Sequence, residues 1–101
     1  MKATSFDQCW KQIGAALRPM PKMYTWSAAG RAHGHFCISG VTQEGVTVKT
    51  FKGLRFVPRE DFESLFVLWP DYKSGAVQRH KLSFCVNSTY VVSIFHWLEQ
   101  Q

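Results

Sequence analysis

Apolar residues recur along the chain with two different periods, and the switches between them mark out the elements. Phe6, Cys9, Trp10, Ile13 and Leu17 follow helical spacing and form one stripe. "SFDQ" ahead of it fits a capping box, with Ser5 accepting from the third helical amide and Gln8 reaching back. The prolines of "RPMP" (18–21) remove amide donors and stop the helix, which is therefore expected over roughly 5–17. "KMYTWSAAGRAHG" (22–34) has no period and reads as a loop after a short strand near 23–26. "HFCISGV" (35–41) and "VTVKTF" (46–51) alternate instead, Phe36 and Ile38 facing the core and Val46 and Val48 answering them. Between them "TQEG" (42–45) signals a turn, with Gly45 free to take a positive φ. "LRFV" (54–57) makes a third short strand after a bend at Gly53.

Pro58 suits the first turn of a helix, and Glu60, Asp61 and Glu63 place carboxylates near its positive end. Phe62, Leu65, Phe66 and Trp69 give that helix its buried stripe, and Pro70 is expected to end it. "DYKSGAVQRHKLSFCV" (71–86) reads as connection, with a turn at Gly75 and a short strand near 82–86. "NSTYVVSIFHWLEQQ" (87–101) closes the chain with a helix capped by Asn87 or Ser88. Val91, Ile94, Phe95 and Leu98 face one way, while Tyr90, Val92 and Trp97 cover much of the other side. A helix apolar nearly all round is buried on more than one side. In so small a chain that predicts an interface through Tyr90, Val92 and Trp97, most simply in a symmetric dimer. The elements add up to one α+β domain over residues 1–101. It has an N-terminal helix, a small antiparallel sheet of three or four strands, and two C-terminal helices packed on one face.

Composition narrows the class further. The 101 residues are 46% hydrophobic and 15% aromatic, enough for a core, and 19% charged, which does not describe a disordered chain. Apolar runs such as "LFVLW" are far shorter than the roughly 20 residues a bilayer span needs. The first ten residues lack the apolar segment of a secretory signal. Cys9, Cys37 and Cys85 are odd in number, far apart and without a C-x-x-C, so reduced thiols in a cytoplasmic protein are expected. The net charge of +5 is concentrated: residues 18–59 hold seven cations against Glu44 alone. Such a field favours polyanions: nucleic acid, acidic protein surfaces or phosphorylated ligands.

Four groupings could carry chemistry. In "KTFKGLRFVPRE" (49–60), Lys49 and Arg55 are expected on one exposed sheet face with Lys52, Arg59 and Arg31 nearby, and Phe51 or Trp26 available to stack on a base. The plainer reading is that edge strands carry such charges to prevent aggregation. In "HGHFC", His33, His35 and Cys37 alternate onto one strand face with donors suited to zinc. Strand residues four apart lie about 13 Å from each other, too far for one ion, so further ligands would have to come from His80, His96 or another subunit. Trp26, Trp69 and Trp97 with Tyr24, Tyr72 and Tyr90 could line a small-molecule pocket, although aromatics in a small α+β protein more often form its core. No triad spacing, phosphate loop or H-E-x-x-H points to catalysis, and nothing in the sequence asks for a cofactor or a metal.

From Leu54 to Glu99 the chain has a hairpin strand, a proline-started helix ending near "W-x-x-Y-x-x-G" and an "N-S-x-Y" opening the last apolar helix. In this it resembles small uncharacterised bacterial α+β domains that travel alone or beside restriction and other mobile-element proteins. The resemblance implies a DNA-linked setting and carries no catalytic residues. The expected function is a small basic cytoplasmic binding module, non-enzymatic, contacting nucleic acid through Arg31, Lys49, Lys52, Arg55 and Arg59. The alternative is a homo-oligomeric adaptor or small-molecule-binding protein that uses the aromatic surface.

Overall fold

A computed structural model describes residues 4–26 and 34–101, apart from the side chain of Arg79. Helix α1 (Phe6–Ala16) leads into strands β1 (Lys22–Tyr24), β2 (His35–Thr42), β3 (Gly45–Thr50) and β4 (Gly53–Pro58). Helices α2 (Arg59–Phe66) and α3 (Trp69–Ser74) follow, then a 3-10 turn (Arg79–Leu82) and α4 (Ser88–Glu99). The α+β architecture expected from the sequence is present, with four strands and one more helix than expected.

The strands form an antiparallel meander in the order β1-β2-β3-β4. Alternation gives the sheet two unlike sides. Met23 pairs with Phe36, Ile38 with Val48, and Val41 with Val46 and through it with Val57. These apolar rows face the helices, where Phe36 meets Tyr90 edge-on at 5.2 Å and Phe62 meets Phe95 at 6.0 Å between ring centroids. Cys9, Ile13 and Leu17 of α1 are fully buried in the same core. A register shift between Ile38 and Gly40 absorbs Ser39 as an extra residue.

Several local features depart from the sequence expectation. The cap of α1 is reciprocal but one residue longer: Ser5 Oγ accepts from the Gln8 amide, while Gln8 Oε1 accepts from the amide and hydroxyl of Thr4. Among the described residues, glycines with φ in the left-handed range are Gly53 (117°) and Gly75 (87°), and Gly45 is not one of them. Gly45 is required for space instead. An added Cβ would lie 2.4 Å from the Val57 carbonyl oxygen and 2.6 Å from the Phe56 ring. Pro58 ends β4 opposite Gly45 and is also the N-cap of α2, so strand passes to helix without a loop.

Pro70 begins a helix where it was expected to end one. Helix α2 stops at Phe66, and Pro70 occupies the first turn of α3, where a missing amide donor costs nothing. Trp69 stays buried, but as part of α3. The segment 82–86, expected as a strand, holds the end of the 3-10 turn, a further turn and the approach to α4.

Helix α4 is buried on more than one side, as its composition requires, but this chain supplies the cover. Val91, Ile94, Phe95 and Leu98 are buried, and so are Val92 and Ser93. The Trp26 amide donates to Ser93 Oγ at 2.9 Å, and the Trp26 ring stacks on His96 at 4.3 Å. Val92 is 2% exposed within the single chain, and Tyr90 and Trp97 are half-buried. The apolar second side of α4 therefore gives no ground for the partner surface expected at these three residues. No helix among the described residues is long and apolar enough to cross a membrane.

Candidate nucleic-acid interface

All the helices that build the core lie on one side of the sheet, and the other side is open. Its rows follow from the register. Lys22 pairs with Cys37, Cys37 with Lys49, and Lys49 with Leu54, one row across all four strands. Tyr24 pairs with His35, and Thr47 stands between Gly40 and Phe56. Lys22, Tyr24, His35, Lys49, Leu54 and Phe56 are exposed, and Cys37 is half-buried between its two lysine neighbours. No carboxylate belongs to these rows.

The β3–β4 hairpin extends this face at its tip. Phe51 and Lys52 form its two-residue loop between the paired Thr50 and Gly53. Thr50 Oγ1 fixes the turn, accepting from the Lys52 amide and donating to the Gly53 carbonyl. Phe51 is held out at 94% exposure, with the Lys52 ammonium 5.6 Å from its ring centroid. At the other edge the Lys22 ammonium lies 5.9 Å from the Tyr24 ring. Cations and exposed π-faces thus alternate on one surface, the pairing that nucleic-acid backbones and bases require.

The expected site residues divide. Lys49 and Lys52 sit on or beside the open face, and Arg31 lies outside the described residues. Arg55 is on the opposite face from Lys49, because the register sets it against Val48 rather than against Lys49. There its Nε donates to Asn87 Oδ1 at 2.6 Å and its guanidinium covers the Tyr90 ring. Asn87 Nδ2 in turn donates to Asp61 Oδ2 at 2.7 Å, so a nearly buried amide links strand, helix and loop. Burial, reinforced by Asp61, raises the pKa of the neighbouring Cys85 thiol. Arg59 belongs to the far end of the sheet, ion-paired with Asp7 at 2.9 Å and lying over Phe6 and Trp10. Lys22, Tyr24 and Phe56 were missed. Their signal was the alternation of Lys22 and Tyr24 around Met23, in a strand of three residues.

The other two groupings do not assemble as sites among the described residues. His33 lies outside the described residues, His35 contacts Tyr24 edge-on, and no three metal-ligating side chains converge among the described residues. Trp26 packs on Trp69 and Tyr72 at 5.6 and 6.0 Å, ring against ring. Glu99 accepts from Trp69 Nε1 and Lys73 Nζ, tying this aromatic cluster to the end of α4.

No family model, curated protein or solved structure matches the chain.

Proposed function

We propose that the open sheet face binds single-stranded nucleic acid, with Lys22, Lys49 and Lys52 meeting phosphates and Tyr24, Phe51 and Phe56 stacking on bases. The observation that carries this reading is Phe51, an aromatic ring 94% exposed on a hairpin tip beside a lysine. That ring buries almost nothing in the fold, so its aromatic character has no structural use. Four strands at about 4.8 Å spacing make a platform about 14 Å across, room for a few nucleotides. A single strand suits it better than a duplex because stacking on Phe51 and Phe56 needs unpaired bases. A mobile-element or restriction setting, as the resemblance of residues 54–99 implies, would supply such strands.

Fluorescence anisotropy with short labelled single- and double-stranded DNA and RNA tests this. Three lysine contacts imply a slope near −2 in log affinity against log salt, so affinity should fall about twentyfold between ~50 and ~200 mM salt. Lys49→Glu and Phe51→Ala should each weaken binding without loss of stability. Binding indifferent to salt and to both substitutions would sink the reading. Leu54, 68% exposed beside Phe56, favours a second reading in which two copies join through this face. A sedimentation mass of two chains, returning to one in Leu54→Lys, would support that instead.

A further inference from the structure

A concavity lies at the far end of the molecule, between the outer side of α1, the β2–β3 turn and the start of α2. It has a volume of about 670 Å³, and its walls include Trp10, Lys11, Gly14, Arg18, Gln43 and Arg59. That size falls within the range of small-ligand sites. Lys11, Gly14 and Arg18 follow one another at helical intervals, so a single stripe of α1 and the turn after it forms one wall. Asp7 is the single carboxylate of the lining and is committed to Arg59. The ion pairs among the described residues do not involve Lys11 or Arg18. The cleft is therefore electropositive, with an aromatic ring at one side and an amide, Gln43, at the other.

Gly14 is the feature that packing does not explain. It lies inside α1, where glycine is the least favourable residue after proline. A Cβ built on it would meet nothing within 4 Å, so the fold itself does not demand a bare backbone there. The space it leaves opens on the cleft, which it helps to line.

We propose that this cleft binds a small phosphorylated ligand with a planar ring, of the size of a nucleoside monophosphate. Lys11 and Arg18 hold the phosphate, the ring lies over the Gly14 backbone beside Trp10, and Gln43 meets its polar edge. The site is independent of the sheet face and does not rest on the reading given for it.

The test is a titration of the full chain with adenosine and uridine monophosphates, followed by calorimetry and by amide chemical shifts. Saturable binding with shifts at Lys11, Gly14 and Gln43 is expected. Gly14→Leu puts a side chain, whose Cβ meets nothing within 4 Å, into the cleft, and Arg18→Glu reverses one cation. Each should weaken binding by about tenfold or more, with a melting temperature no lower for Gly14→Leu. Lys49→Glu should leave this binding unchanged while it weakens oligonucleotide binding, which separates the two sites. Three results would overturn the proposal: no saturable shifts, equal affinity for inorganic phosphate alone, or unchanged affinity in both Gly14→Leu and Arg18→Glu.

Discussion

Asn87→Ala removes an amide that is 6% exposed and holds two charged groups at once. Its oxygen accepts from Arg55 Nε at 2.6 Å and its nitrogen donates to Asp61 Oδ2 at 2.7 Å. Hydrogen bonds to charged groups contribute about 1.5–3 kcal/mol each. Arg55 is exposed and Asp61 partly so, hence both recover some hydration when the amide is gone. The lower end of the range applies, giving a loss of about 2–3 kcal/mol, or about 10–20 °C in melting temperature for a domain of this size. Urea unfolding should show a lower midpoint with an unchanged slope. In a double-mutant cycle, Arg55→Met should cost far less once Asn87 is already alanine. A loss below about 0.5 kcal/mol, the range of an ordinary surface change, would refute the bridging role. The result also bears on binding assays, since Arg55→Glu would weaken the fold through Asn87 and could not be read as lost nucleic-acid contact.

Gly45→Ala should destabilise by about 2–3 kcal/mol through overpacking against Val57 and Phe56, whereas Gly14→Ala should stabilise by up to about 1 kcal/mol; thermal melts of the two decide it. Burial holds the His96 imidazole below its ordinary 6.5, partly opposed by Glu99, so the unfolded chain takes up that proton first. Its contribution is complete above pH 6.5 and is lost as pH falls toward the folded value. Burial works against the Glu99 carboxylate, but hydrogen bonds from Lys73 and Trp69 outweigh it and hold its pKa below 4.5, so its contribution disappears at still lower pH. His96→Phe, which keeps a ring beside Trp26, should flatten the upper part of the stability–pH curve, and an unaltered curve would contradict the assignment. Cys37 should react first with an aromatic disulfide reagent. Cys9, fully buried with its pKa pushed up to about 12, and Cys85, also buried, should react only on unfolding, which mass spectrometry can resolve.

The helical stripe of α1, the alternation of β2 and β3 and the burial of α4 were legible because period and burial speak the same language. What failed was of two kinds. Pro70 and Gly45 were read by the commonest use of their residue type, and the structure uses another property of each: Pro70 its tolerance of a first helical turn, Gly45 its lack of a Cβ. The face of Arg55 failed for a different reason. It depends on which residue of β3 stands opposite, and a slip of one in pairing turns a side chain from solvent to core. Lys49 alone could be placed from its own strand, where Val46 and Val48 fix the inward side. Val92 was assigned to a partner because the segment that packs on α4 at Ser93 and His96, around Trp26, lies about 67 residues away in sequence and carries no period of its own.

Because the sheet is a simple meander, the order of the strands in space is the order in which they leave the chain. The β2–β3 and β3–β4 pairings each close across two residues, 43–44 and 51–52, and so require little search. Helix α4 is different: its ties run to Trp26, Arg55, Asp61 and Trp69, and the Trp26–Ser93 bond closes a separation of 67 residues. Assembly therefore divides into two time regimes, a fast local one that builds the β2–β4 hairpins and a slower one in which α4 docks. The second step buries Val91, Val92, Ile94, Phe95 and Leu98. Until it is complete, Phe36 lacks the Tyr90 ring and Phe62 the Phe95 ring, and the hazard of misassembly is greatest in that interval.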